Sequence, residues 1–334
     1  MNAWVSVFSA LFAVIFLVLA ALLGVAALGL NGVFAIYIPY LASFIFLIGV
    51  VVRLVQWGRI PVPFAIPTTG GQGITLPWFK TAYFDSPHNL LGVIGRIAAE
   101  VLLFRSLFRN VKGEVREGPG LTFASSKWLW LAGILFHYAF LTIVVRHMRF
   151  FLEPVPSVIE LLTSVDGFFQ ILVPTVFLTD IAFLVAAGYL FLRRVVIPQM
   201  RYLSLPADYF ALFLILGIGI SGVLMRQFIK VDLLKVKELT VSLVNFHPVM
   251  PDGIGLIFYV HLFLVSCLMA YFPFSKLMHA PGVFLSPTRN LANDTRMRRH
   301  INPWNYPVKV HTYEEYEDEF RAKMKEVGIP VEKE

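Results

Sequence analysis

Six long stretches of apolar residues constrain the fold of this chain more than any other feature of its sequence. A run of about 20 apolar residues can cross the hydrocarbon core of a bilayer as a helix, and a helix satisfies its own backbone polar groups there. Composition agrees, because 57% of the 334 residues are hydrophobic and 15% are charged, with a mean hydropathy of +0.73. We therefore expect an all-α integral membrane protein with about six transmembrane helices, at residues 5–30, 33–56, 127–150, 169–192, 208–228 and 254–278.

The distribution of basic residues predicts the orientation of these helices. Loops on the cytoplasmic side of a membrane are enriched in Lys and Arg. If both termini are cytoplasmic, only six of the 28 basic residues fall on the outer side, namely Arg146, Arg149, Arg226, Lys230, Lys235 and Lys237. The expected location is the cytoplasmic (inner) membrane. The net charge of +7 then follows from topology and requires no nucleic-acid partner. The first run lacks the basic segment of a signal peptide, so we expect it to remain as an anchor.

The segments between and after the apolar runs predict four regions. The Pro- and Gly-rich residues 57–89 are typical of a loop. Residues 90–109 mix apolar side chains with charges, which favours an amphipathic helix lying in the membrane interface. The polar tail is too small for an enzyme domain, so we expect it to dock a partner, with a helix near residues 314–325. The regions are an N-terminal helical hairpin (1–56), a cytoplasmic loop (57–126), a four-helix core (127–280) and a docking tail (281–334).

Four histidines lie in two of the predicted membrane helices. His137 and His147 are ten residues apart, and His261 and His279 are 18 apart, which corresponds to about 15 and 27 Å along a helix. With an even number of spans the two helices are antiparallel. His147 should therefore meet His261 near the outer face and His137 should meet His279 near the inner face, with His279 at the very end of its helix.

This pattern predicts two haem groups stacked across the membrane. Imidazoles at these intervals cannot converge on one zinc ion, and no carboxylate or thiolate lies within a helical turn to complete another metal site. Haem iron accepts two axial histidines, and with both positions filled its chemistry is electron transfer.

Two other classes of function compete with this interpretation. In a secondary transporter, the intramembrane histidines, Asp180 and Arg226 would form a proton or substrate relay. The sequence shows neither an inverted repeat nor matching Gly or Pro breaks in two halves, which disfavours that class. A haem-free anchor subunit would leave the four histidines unexplained. A reduced-minus-oxidised spectrum separates the three, since only a cytochrome shows haem bands.

The histidine spacings on two antiparallel helices resemble the cytochrome b subunits of respiratory nitrate reductase, the gamma-subunit family, over about residues 125–285. The extra N-terminal span, the basic tail and two loop motifs resemble more closely the DsrM-type cytochrome b subunits of the DsrMKJOP complex of sulfate-reducing organisms. The cytochrome subunit of membrane-bound heterodisulfide reductase is similar in the same way. The motifs are Arg59-Ile-Pro-Val-Pro-Phe64 and Leu76-Pro-Trp-Phe-Lys80.

The resemblance implies an electron-transfer subunit of a quinol-oxidising complex that serves sulfate respiration. It implies two haems b, with His147 and His261 at the outer haem and His137 and His279 at the inner one, and menaquinone as substrate or bound ligand. Cys267 is the single cysteine and cannot hold an iron–sulfur cluster alone, so such a cluster belongs to a cytoplasmic partner. Further membrane and periplasmic subunits are expected.

Four charged residues near the outer histidines are candidate site residues. Arg146, Arg149 and Arg226 are expected to contact haem propionates or quinone, the alternative being ordinary extension of the side chain to the interface. Asp180 is predicted to lie well inside the fourth span, where an unpaired carboxylate is disfavoured. It either pairs with an arginine or accepts protons from a quinol on the outer side.

Overall fold

The computed structural model describes residues 3–61, 83–115, 121–168, 170–171, 176–293 and 310–333. Residues 62–64 of the first loop motif and all of the second, residues 76–80, lie outside the described residues. The basic run at the start of the tail, Arg296, Arg298 and Arg299, lies outside them as well.

The described chain is mostly helical. Its helices are α1 (Ala3–Ala26), α2 (Ile38–Gly58), α3 (Leu90–Leu103), α4 (Arg105–Arg109), α5 (Lys127–His147), α6 (Ser157–Phe168), α7 (Leu178–Val196), α8 (Pro198–Leu203), α9 (Pro206–Val223), α10 (Leu233–Val244), α11 (Leu256–Tyr271), α12 (His279–Leu285), α13 (Pro287–Asn290) and α14 (Tyr313–Glu326). Two short antiparallel hairpins pair β1 (Val111–Val115) with β2 (Leu121–Ser125) and β3 (Gln170–Ile171) with β4 (Val176–Phe177).

Five helices of the described chain are long and apolar enough to cross a membrane. With the tight turns that extend them they are Trp4–Ala26, Val33–Gly58, Lys127–Phe150, Pro206–Phe228 and Leu256–Phe274. They agree with five of the six predicted spans. Large apolar side chains on α1 and α2, such as Phe12, Phe16 and Leu47, point outward and are more than half exposed, which suits contact with lipid. The all-α, multi-pass membrane architecture is thereby confirmed.

The predicted span at residues 169–192 differs most from the structure. The helix there, α7, begins at Leu178, because Gln170–Ile171 and Val176–Phe177 form a hairpin before it. Pro174 lies between these strands in the sequence, and a proline inside a helix costs about 3 kcal/mol. The 19 residues of α7 include Asp180, Arg193 and Arg194, so α7 is more polar than the other five. It packs between α5 and α9 as a sixth helix of the bundle.

Contacts at the two ends of the bundle show that its helices alternate in direction. We call the end at which α1 begins the near face and the opposite end the far face. At the near face, Arg53 Nε of α2 donates to Pro273 O, 3.2 Å away, after α11 has ended. At the far face, Tyr40 of α2 donates to Leu243 O of α10 at 2.8 Å. Thr240 of α10 also donates to Phe150 O at the end of α5, so α10 covers the far end of the bundle.

The predicted amphipathic helix at residues 90–109 consists of two helices. Phe104 adopts a left-handed conformation with φ +49°, which ends α3 before α4 begins. Arg105 binds the carboxylate of Asp85 at 2.5 Å, and the buried Arg96 donates to the Asp85 carbonyl at 2.5 Å. The hydrogen bond from Arg105 is the main cause that holds the pKa of Asp85 below its ordinary value. These polar residues therefore anchor the two helices to the preceding chain instead of facing solvent.

The tail helix predicted near residues 314–325 is confirmed as α14. Thr312 and Glu315 form a reciprocal capping box at its start. Glu317 is buried and accepts hydrogen bonds from the backbone N–H groups of Glu332 at 2.8 Å and Lys333 at 2.9 Å. The last residues of the chain are thus folded back onto this helix.

Candidate functional site

The structure brings the four histidines together as the two pairs that topology predicts. His147 and His261 lie toward the far face, with ring centroids 6.3 Å apart and ring planes within 17° of parallel. His137 and His279 lie toward the near face, with ring centroids 6.0 Å apart and planes at 88°. Each pair joins one histidine of α5 to one from the α11–α12 region.

A break in the helix precedes His279, which the histidine spacing did not predict. The prediction that one helix carries both His261 and His279 is wrong, because α11 ends at Tyr271 and His279 is the first residue of α12. Pro273 lies in the turn that follows α11, where it contributes no N–H donor. The Ser275 hydroxyl then accepts from Leu277 N at 3.1 Å and starts the 3₁₀ turn Lys276–Met278.

All four histidines use the same ring nitrogen to hold their orientation. The Nδ1 atoms of His137 and His147 lie 2.7 Å from the carbonyl oxygens of Gly133 and Ile143, one turn earlier in α5. A carbonyl can only accept, so Nδ1 carries the proton in each. Nδ1 of His279 lies 2.8 Å from Lys276 O, and Nδ1 of His261 lies 2.9 Å from the Ser221 hydroxyl.

The rings of His137, His147 and His279, which are bound to carbonyls, are left with an Nε2 atom that carries no proton and can bind a metal, and His261 is in the same state if the Ser221 hydroxyl accepts from its Nδ1. A ligating histidine typically donates its other N–H to a carbonyl or a similar acceptor, which fixes the tautomer. Two imidazoles on opposite sides of one metal ion, each with a bond of about 2 Å, have ring centres about 6 Å apart. Both observed separations match that value. Aromatic rings of Phe104, Phe136 and Phe150 adjoin the histidines, so donor set and surroundings fit two haem groups.

A buried ion cluster lies beside the far-face histidines. Arg146, next to His147 on α5, is 5% exposed and ion-pairs with Asp166 of α6 and, at 2.7 Å, with Asp180 of α7. Thr179 donates to Asp166 at 2.8 Å. Asp180 lies in the first turn of α7, so its predicted place well inside a span is wrong, since the helix begins later. Of the two possibilities for Asp180, the structure shows the arginine partner.

The other two predicted arginines lie near the same cluster and stack on aromatic rings. The guanidinium of Arg226 lies 3.5 Å from the ring centre of Phe177, and that of Arg146 lies 4.2 Å from it. Arg149 stacks on Phe150 at 4.7 Å. Among the described residues, neither Arg149 nor Arg226 has a carboxylate within ion-pair distance. These two arginines are therefore able to bind an anionic group.

Sequence reasoning missed three residues that build the far-face site. Asp166 lies in α6, a connecting helix that was not predicted, and its partner is 20 residues away in sequence. Phe177 precedes α7 and was assigned to the interior of a membrane span. Ser221 lies 40 residues before His261. Its one visible signal is the run of small residues Gly219, Ser221 and Gly222, which permits close approach of another helix.

Known proteins match the chain across this region. Residues 92–300, which include all four histidines, match the sequence model of the nitrate reductase gamma subunit. A protein of Archaeoglobus fulgidus described as an Hdr-like menaquinol oxidoreductase cytochrome b-like subunit is 49% identical over 280 residues, covering 82% of this chain and 83% of the relative. A protein of Archaeoglobus profundus with the same description is 40% identical over 275 residues, covering 80% and 81%.

Proposed function

The chain belongs to the nitrate reductase gamma-subunit family, and from that membership and its two histidine pairs we propose that it is a dihaem cytochrome b subunit of a menaquinol-oxidising membrane complex. The observation that carries the proposal is the geometry of the pairs. Each Nδ1 faces a hydrogen-bond acceptor, which leaves four Nε2 atoms as candidate ligands in two pairs whose ring centroids are 6.3 and 6.0 Å apart.

In this proposal His147 and His261 hold the outer haem b, and His137 and His279 hold the inner one. With both histidines of a pair as its ligands, each haem would supply one-electron transfer. Arg149 and Arg226 are the candidates to bind propionates or the quinone head group, because they have no carboxylate partner among the described residues. Arg146 is already bound to two carboxylates and acts by holding Asp180 and Asp166 in place.

Menaquinol would be oxidised at the far face, which we assign to the outer side of the membrane. Each quinol loses two electrons and two protons, so its site needs a proton acceptor near water. Asp180 is the candidate for that role. It shares one guanidinium with Asp166, so this ion-paired group of two carboxylates and one arginine can take up a proton and become neutral.

The near face would then be cytoplasmic and would pass electrons to an iron–sulfur subunit in a complex that serves sulfate respiration. Support comes from the predicted orientation, from the resemblance to DsrM-type subunits and from the exposure of His279 at this face. We assign docking to the 57–126 segment and the tail. Removal of residues 300–334 is expected to weaken co-purification with that subunit while both haems are retained. Unchanged co-purification would exclude the tail as a docking segment.

A haem count tests the proposal directly. The purified chain should contain two haems b in a pyridine haemochrome assay. His147→Ala or His261→Ala should remove the outer haem, and His137→Ala or His279→Ala the inner one. His247→Ala is a matched control, because His247 is exposed on the far face and its Nδ1 bonds the carbonyl of Asn245 at 2.8 Å. One haem or none in the unaltered chain contradicts the proposal, and a chain without haem bands returns the transporter and anchor classes to consideration.

A further inference from the structure

The four histidines are not held by equivalent acceptors. Three of them donate Nδ1–H to a backbone carbonyl three or four residues earlier in the chain. His261 alone turns its Nδ1 to a side chain of another helix, the hydroxyl of Ser221 on α9, at 2.9 Å, and the backbone of Ile218 in the same turn of α9 also hydrogen-bonds the ring. A side-chain substitution cannot remove a backbone carbonyl, but it can remove the hydroxyl of Ser221.

The Ser221 hydroxyl has its own proton committed elsewhere. It donates to Ile218 O at 3.0 Å, in the preceding turn of α9. A hydroxyl has one proton and two lone pairs, so a hydroxyl that donates to the carbonyl is left as an acceptor toward His261. His261 Nδ1 must then be the donor, and Nε2 is left free. Ser221 is 5% exposed, so water does not replace it easily.

The next residue of α9 makes room for the same ring. A Cβ atom added to Gly222 would lie 3.3 Å from Cε1 and 3.7 Å from Nδ1 of His261. The first distance is tighter than an ordinary van der Waals contact, so the imidazole of His261 lies directly against the backbone of α9 at this glycine. Ser221 and Gly222 together define one side of the space in which the ring sits.

We infer that Ser221 and Gly222 are positioning residues for the outer haem ligand His261, with Ser221 setting the tautomer and donor strength of the ring. The inference rests on the proposed function. A hydrogen bond accepted from Nδ1–H raises the basicity of a ligating imidazole, and a more basic ligand favours the oxidised metal. Loss of the hydroxyl should therefore raise the midpoint potential of the outer haem and leave the inner haem unchanged.

Redox titration of the intact membrane complex tests this inference, with the haem count as a check on assembly. Ser221→Ala should retain two haems and raise one midpoint potential. A tenfold loss of preference for ferric haem, the low end of the usual 10- to 100-fold loss of metal affinity, corresponds to about 59 mV for a one-electron couple. The low-spin ferric signal of the same haem in electron paramagnetic resonance should also shift. Ser221→Thr keeps a hydroxyl and should restore both values.

Ser266→Ala supplies the matched control. Ser266 is a buried serine of α11 whose hydroxyl donates to Leu262 O at 2.8 Å and, among the described residues, bonds no histidine, so both potentials should stay at their original values. Selective loss of the outer haem in Ser221→Ala, with retention in Ser221→Thr, also supports the inference. Two haems with unchanged potentials and spectra in Ser221→Ala overturn it and leave the proposed function intact. Absence of haem from the unaltered chain contradicts the proposed function itself.

Discussion

The two histidine pairs are built in different ways, although each uses one residue of α5. At the far face, His147 and His261 are half-buried residues of two long helices, and their rings are nearly parallel. At the near face, His279 is exposed, starts a short helix after a break, and meets His137 with perpendicular rings. The far pair is thus positioned by helix packing, and the near pair depends on a turn.

The ion pairs beside the two histidine pairs also differ in how deeply they are buried. At the far face, Arg146, Asp166 and Asp180 have side chains no more than 11% exposed. At the near face, Asp208 at the start of α9 is 4% exposed, but its partner Lys276, at 2.7 Å, is 78% exposed. A buried charge has no water to replace a lost partner. The far face should therefore tolerate the loss of its cation far less well than the near face.

The largest effect is expected from Arg146→Gln. The substitution leaves two buried carboxylates without their cation, and breaking a buried pair in this way costs about 3–5 kcal/mol. Thermal or denaturant unfolding of the purified protein in detergent measures this loss in the free energy of unfolding. Adding Asp180→Asn to Arg146→Gln removes one of the stranded charges and should recover part of the stability. A loss below about 1 kcal/mol in the single variant would show that water enters the cluster.

An intermediate effect, on rate instead of stability, is expected from Asp180→Asn. The amide keeps the shape of the carboxylate and cannot accept the quinol proton, and a positioned base contributes roughly 10²–10⁴-fold to a rate. Reduction of the haems by a menaquinol analogue should slow by about 10²-fold or more, with reduction by dithionite unaffected. Asp166→Asn is the matched control, since Asp166 binds the same guanidinium. Equal slowing in both variants would assign the effect to the charge of the cluster and not to proton acceptance by Asp180.

The same contrast explains which features could be predicted from sequence. The far and near pairings followed from helix direction alone, because alternating spans make α5 and α11 antiparallel. The position of His279 did not follow from the sequence, since the 18-residue spacing suits a continuous helix. In the structure α11 ends at Tyr271, and Pro273 lies in the turn after it. The start of α7 was obscured because the apolar residues before Leu178 resemble a span in composition. Contacts such as Ser221 with His261 depend on how α9 and α11 pack; the small residues near Ser221 indicate that another helix comes close but do not identify the residue that it brings.

The smallest effect is expected from Lys276→Gln at the near face. The Lys276 ammonium binds Asp208, and the Lys276 carbonyl accepts from Nδ1 of His279, so the residue links the histidine turn to the start of α9. Its side chain is largely exposed, and Asp208 keeps a hydrogen bond from Leu205 N at 3.0 Å and the guanidinium of Arg194 at 3.8 Å. Loss of an exposed partner typically costs about 0–1 kcal/mol in the free energy of unfolding.

The Lys276 backbone carbonyl is retained in this variant, so the inner haem should stay bound with an unchanged spectrum. Lys237→Gln, which removes a half-buried lysine from its ion pair with the exposed Glu153, is the control for general loss of surface charge. If Lys276→Gln alone released the inner haem, the turn would be held by this ion pair, and the near face would be as dependent on its cation as the far face.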